Sequence, residues 1–348
     1  MATPPTMTAA VTTGHGGPDK IDVRHDHPRP SIGPGDALVR VTAAAINNTD
    51  IWSREGRYGT AQDPDAVVGW RGVPLDFPLV QGMDIAGEVV EIGADVDPQW
   101  HSRRVIIDPA IEYRGDFPTE IVGSEANGGF AQYFACPQRQ LADVTGSPLT
   151  DAQLACLPTA YGTALGMLNR AACAAGERVL VTGASGGVGL AAVQLLASRG
   201  CHVVARTSAP HRALVAASGA VEVSTRGVDD LSTLAEVDAI VDVVGGDEFG
   251  TAIDRLRPGG RLVTAGAIAG PVVSIDLRRL YLQQRTLIGS TMHTPADFAQ
   301  LAAIAVDGSI SPLVAWTHPL EQIAAAQRDF LAGDFVGKLV LAPWPDRS

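Results

Sequence analysis

Lysine is nearly absent: Lys20 and Lys338 are the only two in 348 residues, so almost every positive charge is an arginine. Any strong contact to an anion must therefore come from a guanidinium, whose planar fork suits phosphate. Positive charge is also outnumbered, 26 Lys and Arg against 38 Asp and Glu, for a formal net charge of −12. That balance excludes broad electrostatic attraction to nucleic acid or to an anionic membrane surface. No stretch reaches the about 20 uncharged apolar residues that a membrane-crossing helix needs. The opening MATPPTMTAAV has no basic segment ahead of an apolar one. A cytoplasmic protein acting on a small molecule, with neither nucleic acid nor membrane as partner, is the expectation.

Cysteine is scarce as well. Cys136, Cys156, Cys173 and Cys201 are scattered, and no two form a CxxC pair. Neither a disulfide framework nor a zinc knuckle follows from that spacing, and buried small side chains are the expected role. What the chain does have is apolar material: 46% of residues are hydrophobic and only 18% charged. At this length one core of typical size does not suffice, and two domains are expected.

From Met7 to about Val144 short alternating strands such as ALVRVTAAAI, IAGEVVEIG, RRVIID and GGFAQYFACP are broken by Gly, Pro and Asp. From Glu177 onward strands alternate with helical segments, beginning with RVLVTG, GVGLAAVQLLASRG and CHVVART. Such alternation is the pattern of βαβ units in a parallel, doubly wound sheet, which makes the fold class α/β. The tail, with the amphipathic LEQIAAAQRDFLAG and the strand GKLVLAP, looks like a return to the first domain. The stretch Gly59–Phe77 is loop-like and mixes polar with aromatic residues, which fits either a surface insertion or a pocket wall.

The segment VLVTG-ASGGVG-LAAVQLLA sets glycines 183, 186, 187 and 189 between a β-branched strand and an apolar helix. Glycine permits the tight turn and close backbone approach, and the helix N-terminus offers free N–H groups to a pyrophosphate. Ala184 replaces the first glycine of the usual GxGxxG frame. Ser185, Gly186, Gly187, Val188 and Gly189 are the expected diphosphate contacts. Glycine-rich turns also occur without ligands, but here the strand before, the helix after and the further βα units support a dinucleotide. After the second strand no acidic residue is present to hold ribose hydroxyls. Arg206, Thr207, Ser208 and Arg212 stand there instead, donors suited to a 2′-phosphate, so NADPH is favoured over NADH. The plain alternative is that the two arginines solvate the surface.

At this point the sequence resembles the medium-chain dehydrogenase/reductase superfamily, specifically its zinc-free quinone oxidoreductase-like branch. The resemblance runs in order through Asn47-Asn48-Thr49-Asp50, Arg54, Gly56 and Tyr58, then PLVQGMDIAGEVV, GGFAQY, LPTAYGTAL, ASGGVG, VDVVGG and GKLVL. It implies a GroES-like β domain over 1–150 and 296–348 and a Rossmann doubly wound parallel-sheet domain over 151–295. The zinc enzymes of this superfamily carry a cysteine where this chain has Asn47 and a histidine where it has Met83. No cysteine lies between Asp108 and Gln132, where many carry a structural zinc lobe. Catalytic zinc needs about three protein ligands, so no metal is expected. His293 and His318 are left as the histidines from which another site would have to be built.

Without a Lewis acid, hydrogen-bond donors must stabilise the charge that hydride delivery creates. An enolate, formed by addition to a conjugated C=C or a quinone, spreads that charge more than an alkoxide does. Hence an NADPH-dependent quinone oxidoreductase or enoyl reductase is expected. An NADPH-dependent aldehyde or ketone reductase acting on a specialised metabolite, and a nucleotide-binding protein that has lost catalysis, are the alternatives. The resemblance places Asn47 to Tyr58 at the nicotinamide end. Tyr58 is the first candidate donor, Asn47 and Asn48 are amide donors, and Asp50 braces the segment. Further cofactor contacts carried over by position are Thr163, Val243, Gly245, Gly266, Ala267, Ser290, Thr291 and Lys338. Trp52, Trp70 and Phe77 are candidates for an apolar substrate wall. Superfamily members commonly dimerise through edge strands, and TLIGSTM is an apolar edge of that kind, so a homodimer is expected.

Overall fold

The structure is a computed structural model describing residues 4–60 and 62–344. Its most regular part is a six-stranded parallel sheet, here labelled β1 (Arg178–Val181), β2 (His202–Thr207), β3 (Glu222–Thr225), β4 (Val237–Asp242), β5 (Leu256–Thr264) and β6 (Thr286–Gly289). The order across the sheet is β3-β2-β1-β4-β5-β6, so the sense in which strands are added reverses between β1 and β4. Such a reversal opens a crevice at the carboxyl ends of the strands, where doubly wound sheets bind ligands. Strand β1 is buried on both faces, as the run Val179-Leu180-Val181 requires.

The N-terminal half builds a second, mostly antiparallel sheet around the long strand Asp36–Ala45. It pairs along its edges with Asp84–Ile92 and Tyr133–Pro137, and its alternation is blurred because both faces are packed: Ala43 and Ala45 join one core, Leu38, Val41 and Ala44 the other. The chain end returns here: Lys338–Ala342 pairs with the same strand, Val340 opposite Ala45, and Val314–Pro319 extends the sheet. Two large cores result. One lies inside the N-terminal sheet, and the other runs from Leu154 through the helix Gly187–Ser198 into the parallel sheet. The four cysteines are buried and free, as their scatter suggested.

The Gly59–Phe77 stretch divides. Residues 62 to 65 are exposed, while Val68 N–H donates to Gly56 O and folds the later half onto the end of the helix Asn48–Glu55. Leu75 N–H donates to His15 Nε2, and His15 Nδ1 meets Arg54 O, which ties the loop to the N-terminal strands. One part is a surface insertion, and the other carries Trp70 inward.

Candidate active site

Between β1 and the helix Gly187–Ser198 the chain turns through Gly183, whose φ of +59° an L side chain rarely adopts. A Cβ on Gly189 would lie 2.2 Å from Gly183 O, so this residue must be glycine for the helix to start so close to the strand. Gly186 is the N-cap, extended and without a side chain, and a Cβ there would meet nothing nearer than 3.5 Å. The free N–H groups of the first turn are thereby open to an anion. Ser185 lies beside them, and its carbonyl accepts from Gly337 N–H.

A cavity of about 600 Å³ adjoins this loop, lined among others by Ser185, Arg206, Ser208, His211, Arg226 and Glu248. The site fits a nucleotide in a further respect. The hydroxyls of Thr207, at the end of β2, and Ser290, just past β6, are buried without a partner, so both hold unused hydrogen-bonding capacity.

Two expected phosphate donors are disposed otherwise. Arg206 is only 5% exposed, and its guanidinium is spent on Glu248, Ser224 Oγ and Asp229 O. A buried cation must be paired, and here the pairing carboxylate comes from beyond β4. The carboxylate missing from the end of β2 is thus supplied to the same cavity by tertiary structure. Arg212 turns away, donating to Val223 O and Thr225 Oγ1. Arg226, which the sequence reading passed over, is exposed and lines the cavity, and its backbone N–H donates to Thr207 O. Only the pairing of β3 with β2 brings it there.

The loops after β4 and β5 meet over the crevice. Gly245 N–H donates to Asp242 Oδ2, a Cβ on Gly245 would lie 2.7 Å from Gly270 O, and Gly266 packs on Val243. Val243, Gly245, Gly266 and Ala267 therefore share one wall. Ser290 and Thr291 follow at the end of β6, where Ser290 N–H donates to Thr264 O. Thr163 is buried in the helix Gly162–Arg170.

Lys338 differs from its expected role as a cofactor contact. Its ammonium donates to Ile46 O, Asn47 Oδ1 and Asp84 Oδ2, and its stem lies against Gly187. All three of its donors are used within the protein because a buried ammonium cannot be left unpaired. Asn47 is likewise committed: Nδ2 donates to Asp84 Oδ2 at 2.9 Å. Asp84 in turn accepts from Thr159 N–H at 2.7 Å, which fastens the N-terminal sheet to the segment before the helix Gly162–Arg170. Asp84 was not singled out in the sequence, although an acid beside Met83 in a buried strand is a signal for such a partner.

Asp50 braces the segment through backbone, accepting from Asn47 N–H at 2.8 Å, while Arg54 bonds Gly16 O and Gln327 instead. Burial pushes the Asp50 carboxyl up to about 7, since the charged form is desolvated. Tyr58 donates to Thr49 Oγ1 at 3.1 Å, and burial raises its pKa, so the phenol keeps its proton at neutral pH. Thr49 is a second site hydroxyl missed in the sequence. Asn48 starts the same helix, half-buried.

Trp52 packs edge-on against Tyr58. Trp70 packs onto Met83, Ile121 and Met292, and its Nε1 donates to Glu125. Phe77 does not join them; it lies edge-on to His15, because the loop is anchored there. Met83 is thus part of an apolar cluster. Among the described residues no group of three or more His, Cys, Asp or Glu side chains is placed to hold a metal ion.

Sheet order, glycine loop and strand-end crevice together define a nucleotide-binding dehydrogenase fold with a second β domain. Residues 33–146 match the alcohol dehydrogenase GroES-like domain family, and residues 187–307 match the family described as zinc-binding dehydrogenase. The chain belongs to the medium-chain dehydrogenase/reductase superfamily and is an oxidoreductase. It is 43% identical to a solved protein of Sinorhizobium meliloti 1021 provisionally assigned as an alcohol dehydrogenase, with a TM-score of 0.93, covering 98% of this chain and 97% of that one. It is 28% identical to the acryloyl-coenzyme A reductase of Metallosphaera sedula, over 96% of this chain and 99% of that protein. Identity to the quinone oxidoreductase of Lama guanicoe is 29%, over 96% and 97%.

Proposed function

We propose that this oxidoreductase uses NADPH to reduce a conjugated C=C bond or a quinone, without zinc. The observation that carries the reading is the state of Asn47 and Met83. The first is locked between Lys338 and Asp84, and the second is packed with Ile121 and Met292. Neither presents a metal ligand, so a donor must replace the Lewis acid. The bound nicotinamide supplies the hydride. Tyr58, whose phenol stays protonated beside Thr49, would turn its one O–H from Thr49 Oγ1 to the developing enolate oxygen and deliver a proton there. A well-placed donor of this kind lowers a barrier by roughly 3–4 kcal/mol. Asn47, held by Lys338 and Asp84, caps the start of the helix Asn48–Glu55, Asn48 at its first residue is an amide donor, and Trp52 and Trp70 present apolar surface.

The named activities of the acryloyl-coenzyme A reductase and quinone oxidoreductase relatives support C=C or quinone reduction. The Sinorhizobium relative favours the second reading, reduction of an aldehyde or ketone. A panel of enones, enoyl thioesters, quinones and saturated carbonyls, scored by NADPH oxidation on a preparation assayed for metal, separates the two. Turnover of saturated carbonyls alone, or stoichiometric zinc, would sink the reading.

For the 2′-phosphate the cavity offers Arg226 and the mutually hydrogen-bonded pair Ser208 and His211, with the unpartnered Thr207 hydroxyl below them. The two domains of the proposal are 1–150 with 296–348, and 151–295. The second pairs with another copy along the open edge of β6, where Leu277, Tyr281, Leu282 and Leu287 are exposed, giving a homodimer. No helix of the described residues is long and apolar enough to cross a membrane, and a cytoplasmic setting completes the proposal.

A further inference from the structure

His293 is buried, stacks on Phe298 with ring centroids 5.0 Å apart, and places Nε2 3.0 Å from Asp108 Oδ1. Asp108 also accepts from Ala110 N–H and from the Tyr113 hydroxyl, which reaches both carboxylate oxygens at 3.0 and 3.2 Å. A carboxylate only accepts, so Nε2 donates, and Nδ1 is the ring nitrogen that faces away from Asp108. That Nδ1 has no partner. It lies against Gly162, where a Cβ would come within 2.4 Å. The ring is therefore wedged between the start of the helix Gly162–Arg170 and the first residues of the hairpin formed by Ala110–Arg114 and Phe117–Ile121.

The location gives this contact its meaning. His293 follows Ser290 and Thr291 at the carboxyl end of β6 through Met292, a non-glycine residue at φ +48°. Such a backbone persists only where its surroundings hold it, and a Cβ on Gly166 would come within 2.4 Å of Met292 O. Asp108 and Tyr113 belong to the other sheet system, and their hairpin ends at Ile121, which packs with Met83 and Met292 against Trp70. One hydrogen bond thus joins a loop expected to contact the cofactor to the hairpin that packs on Trp70, a candidate for the substrate wall.

We propose that His293 is a positioning residue: acting through Asp108 and Tyr113, it clamps the β6 loop to the 110–121 hairpin and so sets the approach of substrate to nicotinamide, without contributing to nucleotide affinity. The inference rests on the reductase reading above. Hydride transfer depends on that approach, and small misplacements reduce rate far more than binding. The carboxylate keeps a proton on Nε2, and Gly162 leaves the room that keeps the ring in plane with it.

The test compares wild type with Tyr113→Phe, His293→Ala and His293→Gln, the last restoring a donor near the Nε2 position. For Y113F and H293A we expect kcat on an enone to fall at least about tenfold, NADPH affinity to stay within about twofold, and the primary isotope effect with 4-deuterated NADPH to rise. H293Q recovers most of the rate. Hydrogen exchange of the 110–121 amides provides a readout that needs no substrate. NADPH slows exchange in wild type and in H293Q, and has little effect in Y113F and H293A. Equal protection in all four proteins, an unchanged kcat, or losses of rate, nucleotide affinity and thermal stability in parallel would overturn the clamp. Should wild type bind NADPH yet turn over no member of the panel, the reductase reading fails, and the exchange data still decide whether the loop and hairpin are coupled. Y113F removes a single oxygen, so the test survives a failure of H293A to fold.

Discussion

Arg206 and Glu248 meet in a two-point ion pair, Nη2 to Oε1 at 2.5 Å and Nε to Oε2 at 3.1 Å, in the cavity beside the glycine loop. The arginine is buried and the glutamate side chain is 45% exposed. The pair is therefore anchored on one side and partly screened by solvent on the other. Its net charge is zero, so it neither attracts nor repels a 2′-phosphate strongly.

Replacing Glu248 by Gln leaves the guanidinium hydrogen-bonded but uncompensated. NADPH should then bind several-fold tighter, on the order of 1 kcal/mol after screening, while NADH affinity changes little. Fluorescence titration of both nucleotides measures this. A parallel gain for NADH would show that Glu248 acts on the cavity in general and not on the phosphate.

Arg226 carries the complementary expectation. Arg226→Ala should weaken NADPH by roughly 1–2 kcal/mol, the range for one charge-assisted contact at a partly exposed site, and spare NADH. Isothermal titration at low and high salt tests it, because the wild-type preference should shrink with salt whereas the variant's should not.

Tyr58→Phe keeps the edge-on packing with Trp52 and removes the hydroxyl. If the phenol is the donor, kcat should drop by about a hundredfold with nucleotide affinity intact. A loss of less than about threefold would remove Tyr58 from the chemistry.

Asp50 makes a stability prediction with a definite sign. Burial, the largest cause, raises its carboxyl from 3.8 to about 7, so between those values the folded state binds more protons than the unfolded one. Stability contributed by Asp50 is therefore present at low pH and is lost as pH rises toward 7. Asp50→Asn keeps an acceptor for Asn47 N–H and removes the charge. Its stability relative to wild type should rise between pH 5 and 8 by on the order of 2 kcal/mol, then level off. Urea unfolding at the two pH values checks this, and a relative loss at pH 8 would show that the charged form is the better-stabilised one.

Gly189→Ala would drive a methyl to 2.2 Å from Gly183 O, which is backbone and cannot move aside cheaply. A cost of roughly 1–3 kcal/mol is expected for such overpacking. It should appear as a lower thermal midpoint together with weakened nucleotide binding, since strand, turn and helix start move as one.

Local chemistry was enough for the parts whose cause is local. Val179 to Val181 followed by glycines 183, 186, 187 and 189 specifies a strand, a positive-φ turn and an open helix start, and the βα alternation after it specifies a parallel sheet. The substitutions at Asn47 and Met83 were equally legible, because a side chain's ability to bind metal is intrinsic to its type. Partner choice was not. Whether Arg206 is free or paired depends on Glu248, 42 residues away in sequence. Lys338 is sequestered by Asp84 and Asn47, more than 250 residues distant. Arg226 enters the cavity through strand pairing, and His293 meets Asp108 across 185 residues. Charge and hydrogen-bonding capacity belong to a residue and are written in the sequence; which group satisfies them is a property of distances, and those exist only once the chain has folded.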